Sequence, residues 1–89
     1  MKLIDGFVLR NVGGQSIITG EGLKQINFNK LIGLNPVAAY LWKEIEGKEF
    51  TDETLTTLLT TRYDVDEKTA RKDSIEIIKN WLKAGLIEE

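Results

Sequence analysis

The sequence contains no cysteine and no histidine among its 89 residues. These two absences exclude a disulfide framework, a thiolate nucleophile, a histidine general base and any zinc site built from either residue. Small enzymes that lack both residues are uncommon, so we expect a protein without catalytic activity. We also expect no bound metal and no other cofactor.

Long apolar runs are missing as well. No run approaches the roughly 20 apolar residues that a membrane-spanning helix needs. The first residues, Met1–Asp5, lack the apolar core of a secretory signal. We therefore expect a cytoplasmic protein that contacts no membrane.

The charges are unevenly distributed along the chain. The net charge is −2 and the isoelectric point is near 5.2. Residues 67–84 contain five cations against three acids, residues 1–34 are also slightly basic, and residues 35–66 are acidic. A mixed solvated surface is one explanation, and a basic groove formed where the two basic segments meet is another.

Three strand patterns precede residue 32. The segments 7–12 and 15–19 flank Gly13-Gly14, a pair that favours a tight hairpin because both residues tolerate positive φ. Residues 25–31 alternate between apolar and polar side chains, which predicts a third, half-buried strand. The next segments have helical spacing instead.

Three predicted helices follow the strands. The first begins after the cap residue Asn35 and stops at Gly47, the second begins after the cap residue Thr51, and the third runs from about Glu67, with Asp66 as its cap, to Ala84. Leu86-Ile87 then packs back or adds a short strand. Segregated strands and helices predict an α+β fold, a three-stranded antiparallel sheet followed by three helices in a single domain over residues 1–89.

The third predicted helix has a wider apolar stripe than one buried face requires. The stripe spans about 160°, against roughly 100° for a surface helix. Ile75, Ile78 and Leu82 form its extra flank, with Arg71 inside the flank and Lys79 at its border. Either this helix is central and contacted on two sides, or the flank is the floor of a groove.

The third predicted strand is an edge of the sheet. Edge strands usually carry several charges or a proline, but this one has only Lys30 near its end and the outward residues Asn27 and Asn29. Such an edge can accept a visiting strand. Beside the third helix it would form a groove suited to an extended peptide with apolar anchors and acidic side chains.

Several segments resemble the PqqD-like family, whose namesake is the small protein D of pyrroloquinoline quinone biosynthesis. The resemblance covers nearly the whole chain. Its elements are Phe7-Val8-Leu9-Arg10, Leu34-Asn35-Pro36-Val37-Ala38-Ala39-Tyr40-Leu41-Trp42, Gly47, Thr51, Tyr63-Asp64-Val65 and Leu82-Lys83-Ala84-Gly85-Leu86-Ile87.

The resemblance implies a winged-helix-like RiPP recognition element, which is a non-catalytic peptide chaperone. Members bind the leader of a ribosomally made precursor peptide by β-augmentation and present it to a modifying enzyme, often a radical SAM protein, in PQQ-type cofactor or RiPP biosynthesis. Carried over, the peptide-binding residues would be Ile26, Asn27, Phe28, Asn29, Lys30, Arg71, Ile75, Ile78, Lys79 and Leu82.

Two alternatives belong to other functional classes. The last two helices could form a helix-turn-helix of a winged-helix DNA-binding regulator, but three carboxylates precede or open the third helix and the chain is acidic, so we expect no nucleic-acid partner. The carboxylate pairs Glu44/Glu46 and Asp64/Asp66 could be catalytic, but they lie in acid-rich stretches without a predicted pocket. An open sheet edge also permits a homodimer.

Overall fold

Five strands and three helices follow one another in the residues that the computed structural model describes, 1–21 and 31–89. This order confirms the α+β fold, with a three-stranded antiparallel sheet ahead of three helices. The elements are β1 (Lys2–Leu3), β2 (Phe7–Val12), β3 (Gln15–Gly20), β4 (Leu31–Leu34), α1 (Pro36–Ile45), α2 (Asp52–Arg62), α3 (Glu67–Lys83) and β5 (Ile87–Glu88).

The predicted hairpin is confirmed. β2 pairs antiparallel with β3 from Phe7 opposite Gly20 to Val12 opposite Gln15. Gly13 and Gly14 connect the strands with φ values of 60° and 83°. Both values lie in the left-handed region, which suits the twist of a tight hairpin and favours glycine.

Within the described residues, the third strand of the sheet begins at Leu31, the last residue of the predicted strand, and continues to Leu34. β4 pairs with β3 from Leu31 opposite Thr19 to Leu34 opposite Ser16, so the strand order is β2-β3-β4. The predicted strand covered residues 25–31, of which 25–30 lie outside the described residues. Ile32 and Leu34 face inward whereas Leu31 is 68% exposed. Because Leu31, Ile32 and Leu34 are all apolar, the sequence alone does not show which side chains of this strand face inward.

All three helices begin at the predicted capping residues. In each case the side-chain oxygen accepts a hydrogen bond from the backbone N–H three residues later, at 2.8 Å for Asn35, 3.2 Å for Thr51 and 2.7 Å for Asp66. Each cap satisfies an N–H that has no partner inside its helix. These local bonds fix where the helices start and therefore how they meet.

The core lies between the helices and the inner face of the sheet. α2 packs against α3, and α1 contacts the sheet and α2. The buried Thr56 hydroxyl of α2 lies 3.3 Å from the hydroxyl of Ser74 on α3, so the polar groups at this helix contact are paired. The largest fully buried side chains are those of Ile18, Leu41, Trp42, Ile45, Phe50, Leu55 and Leu86.

A separate two-stranded sheet joins the beginning and end of the chain. β1 pairs antiparallel with β5, with Lys2 opposite Glu88 and Leu3 opposite Ile87. This confirms that the segment after α3 adds a short strand, although its partner β1 was not predicted because two residues carry no readable period. In the described part of the chain, no helix has the length and apolarity needed to cross a bilayer.

Candidate functional site

One face of α3 carries a row of side chains spaced one helical turn apart. The row consists of Lys68, Lys72, Ile75, Lys79 and Lys83, at steps of three or four residues. A surface groove of about 820 Å³ runs along this face. The described residues that line it are Lys68, Arg71, Lys72, Ile75, Glu76, Lys79, Asn80 and Lys83.

The groove is strongly basic. Five of its described lining residues are cations and one, Glu76, is an acid. Arg71 is held by two carboxylates of the same chain, with Nη1 3.5 Å from Asp52 Oδ2 and Nη2 3.4 Å from Glu67 Oε1. The four lysines form no ion pair with any described residue. Their uncompensated charges give this face a positive potential that attracts anionic ligands.

Two apolar side chains are exposed beside the lysines. Ile75 and Leu82 are each 40% exposed, whereas Ile78 is 8% exposed and belongs to the core. The wide apolar stripe of α3 therefore divides into a buried part and an open part. Ile78 belongs to the buried part, which contacts the core. Ile75 and Leu82 belong to the exposed part, which agrees with the prediction of a groove that is accessible in the free protein.

The edge of the sheet comes close to the same helix. On its outer side β4 pairs with no strand in the described regions of the chain. Asn35 directly follows β4 and lines a 320 Å³ concavity together with Asp73, Ile77 and Asn80 of α3. The end of β4 therefore lies beside Asp73, Ile77 and Asn80 of α3, none of which is among the predicted peptide-binding residues.

The predicted peptide-binding residues fall into three groups. Arg71, Ile75 and Lys79 line the groove, and Leu82 is exposed near its Lys83 end. Ile78 contributes mainly to the core. The remaining five, Ile26, Asn27, Phe28, Asn29 and Lys30, lie outside the described residues.

Sequence reasoning missed three of the four lysines in the row. Lys68, Lys72 and Lys83 lie outside the apolar stripe of the helix, and the predicted groove was based on that stripe alone. Their spacing was visible in the sequence, because residues that recur every three or four positions share one face of a helix.

The carboxylates that were considered for catalysis or for contact with DNA are exposed. This holds for both pairs, Glu44/Glu46 and Asp64/Asp66. Hydrogen bonds from the side chain and backbone of Thr69 lower the pKa of Asp66, which agrees with its role as a helix cap. Within residues 1–21 and 31–89, no cluster of three or more acidic side chains is arranged to hold a metal ion.

A second charged cluster lies on the outer face of the sheet, away from α3. The guanidinium of Arg10 donates two hydrogen bonds of 2.5 Å to Glu21, and the Thr19 hydroxyl donates a third at 2.6 Å. These bonds, from Arg10 first and Thr19 second, lower the pKa of Glu21 to about 2. The cluster joins β2 to the end of β3.

Comparison with known proteins supplies a family and a fold. The family model of coenzyme PQQ synthesis protein D (PqqD) matches residues 7–87. The solved structure of TbiB1 in complex with the TbiA(beta) leader peptide has a similar fold, with a TM-score of 0.77 and 21% sequence identity over 99% of this chain and 95% of that chain. No curated protein sequence matches the chain significantly.

Proposed function

This chain belongs to the PqqD family, and we propose that it binds the leader of a ribosomally made precursor peptide. TbiB1, which shares its fold, was solved in complex with a leader peptide. We further propose that the chain is a chaperone rather than a catalyst. It would present the leader to a separate modifying enzyme in the cytoplasm, where ribosomal precursor peptides are made.

The exposed pair Ile75 and Leu82 carries this proposal. Each side chain is 40% exposed, whereas Ala70, Ile78 and Trp81 of the same helix are buried. Covering them with a peptide would contribute roughly 1 kcal/mol each, because full burial of such a side chain yields about 1.5–3 kcal/mol. One exposed apolar side chain in a basic groove and a second near its end fit a ligand that offers both apolar and acidic side chains.

The open edge of the sheet supports binding by β-augmentation. In this mode the leader adds a strand beside β4, its backbone bonds supply affinity, and alternate side chains point toward α3. The proposed contacts on the sheet side come from the segment that precedes β4, and Ile78 contributes only its small exposed part. The proposed peptide-binding residues are Ile26, Asn27, Phe28, Asn29, Lys30, Arg71, Ile75, Ile78, Lys79 and Leu82.

A peptide fits this groove better than DNA does. Asp64, Asp66 and Glu67 are exposed where a recognition helix would enter the major groove. Phosphates would meet these carboxylates first, and they gain nothing from the exposed Ile75 in the middle of the lysine row. The acidic isoelectric point also opposes nonspecific contact with nucleic acid.

The partner enzyme and the assembly state belong to the same proposal. We propose a radical SAM or other peptide-modifying enzyme as the partner, and the acidic segment 35–66 differs in net charge from the basic groove. Two copies could also pair through their open edges. Such a homodimer would compete with the leader for the same backbone groups, so leader binding should dissociate it.

Titration by NMR tests the proposal. The gene neighbourhood is first searched for a short precursor reading frame, and a synthetic leader peptide of that precursor is the probe added to ¹⁵N-labelled protein. We expect the largest amide shifts between residues 22 and 34 and along residues 71–83. N-methylation of the peptide, one residue at a time, should weaken binding at every second position, because alternate N–H groups of an added strand pair with the sheet edge.

Two results would argue against this proposal. Shifts confined to α1 and α2 would place the peptide elsewhere. Equal tolerance of N-methylation at all positions would exclude an added strand while leaving a groove-bound peptide.

A further inference from the structure

The row of Lys68, Lys72, Ile75, Lys79 and Lys83 on α3 has a nearly regular spacing and an order of residue types that is the same from both ends. With a rise of 1.5 Å per residue, its five members are separated along the helix axis by about 6, 4.5, 6 and 6 Å. Read from Lys68 to Lys83, the order is lysine, lysine, isoleucine, lysine, lysine. The order is the same when it is read from the other end.

This spacing resembles that of an extended peptide. Side chains on one face of a strand recur about every 6.6 Å, so five of them span about 26 Å, against about 22 Å for the row. The difference of about 4 Å is smaller than the reach of a flexible lysine side chain. Each member of the row can therefore meet one side chain of an extended segment.

Building on the proposed function, we infer that this groove selects acidic leaders of a defined pattern. The bound segment is nine residues long, and its alternate side chains are acidic, acidic, apolar, acidic and acidic. The central apolar side chain lies on Ile75 and the four carboxylates meet the four lysines. Because the order of residue types is the same from both ends, the charge pattern fits either direction of the peptide.

In this inference the four lysines, and not Arg71, select the acidic side chains of the peptide. Arg71 is already paired with Asp52 and Glu67, at 3.5 and 3.4 Å, and offers little unpaired charge. The lysines have no such partner among the described residues. Glu76 is the single acid among the described residues that line the groove.

Three fluorescein-labelled peptides test the inference. The first has Glu at positions 1, 3, 7 and 9, Leu at position 5 and Thr between them. The second replaces each Glu with Gln, and the third has the same composition with the four Glu residues consecutive. We expect the first to bind at least about 10-fold more tightly than the others in low salt, and to lose most of this advantage at about 0.5 M NaCl, where screening is strong.

Charge reversal of lysines in the protein tests whether the lysine row causes the preference for the first peptide. Lys72→Glu combined with Lys79→Glu should abolish the preference for the first peptide, and Lys72→Gln with Lys79→Gln should reduce it. The matched control is Lys43→Glu with Lys48→Glu, two exposed lysines outside the groove, which should preserve the preference. Thermal melts of all variants verify that they are folded.

The outcomes separate this inference from the function on which it rests. Equal binding of the three peptides, or no binding of the first, overturns the acidic pattern. If the leader encoded beside the gene binds the wild type and the charge-reversed variant equally, acid selection is wrong while leader binding stands. If that leader does not bind at all, the proposed function fails. A 20-base-pair duplex that competes with the first peptide at equal concentration would instead indicate a nucleic-acid site.

Discussion

The ring of Trp42 on α1 stands edge-on against the ring of Trp81 on α3, with centroids 5.4 Å apart and planes at 80°. Aromatic pairs favour this geometry because the positive edge of one ring meets the negative face of the other. Both rings are buried, and Trp42 is fully so. The contact fixes the rotation of α3 about its axis, and thereby the face that it turns toward the groove.

We expect Trp42→Ala to lower the free energy of unfolding by about 3–5 kcal/mol, the usual range for removing a large buried aromatic side chain. That loss is a large part of the roughly 4–13 kcal/mol expected for a chain of this length. Urea denaturation at 25 °C measures it. The neighbouring exposed residue supplies the control, since Lys43→Ala should change stability by less than about 0.5 kcal/mol. A loss below about 1 kcal/mol for Trp42→Ala would contradict its place in the core.

The exposed pair on α3 should affect binding without affecting folding. Ile75→Ser combined with Leu82→Ser should weaken leader binding by about 10-fold or more, while the free energy of unfolding changes by less than about 1 kcal/mol. Ile78→Ala is the contrasting variant and should cost about 2–5 kcal/mol, because its side chain is buried. Fluorescence anisotropy and urea denaturation measure the two properties. Full affinity in the double variant would move the site away from this face.

The side-chain cap at the start of α1 should contribute about 1 kcal/mol to the free energy of unfolding. Asn35 Oδ1 accepts the N–H of Ala38 at 2.8 Å, so Asn35→Ala leaves that N–H without its partner. Asn35→Asp keeps an oxygen acceptor and should retain most of the stability. Chemical denaturation of the two variants measures the difference, and equal stability of both would show that the cap contributes nothing.

The charged cluster on the outer sheet face predicts that the free energy of unfolding depends on pH in the acidic range. The folded protein lowers the pKa of Glu21 from an ordinary value of 4.5 to about 2, through hydrogen bonds from Arg10 and Thr19. The ionised carboxylate is therefore favoured in the folded state. Its stabilising effect is complete above pH 4.5 and is lost as the pH falls through about 2.

Glu21→Gln should flatten the slope of unfolding free energy against pH within this window, and Arg10→Gln should flatten it in the same way. Denaturation at a series of pH values between 2 and 6 provides the measurement. If the slope of the Glu21→Gln variant equals that of the wild type, the cluster does not hold the carboxylate in its ionised form.

The features that the sequence predicted correctly are mostly local. Asn35, Thr51 and Asp66 act within one turn of their own helices, and the turn at Gly13-Gly14 depends on its own backbone conformation. Ile75 and Ile78 could not be separated in this way, because both lie on the apolar stripe and only the packing of other elements buries one of them. The pairing of β1 with β5 joins residues that are more than 80 positions apart in the sequence, so no local sequence pattern predicts it.

That pairing places β1 and β5 side by side, as Lys2 lies opposite Glu88 with an ion pair of 3.6 Å between them. Cross-strand neighbours have Cα atoms about 5 Å apart, so a linker of a few residues could connect Glu88 back to Lys2. New ends could then be opened at Gly13-Gly14, an exposed turn remote in sequence from α3. A circular permutant of this kind would carry a fused partner on the hairpin side of the molecule and keep the lysine row intact.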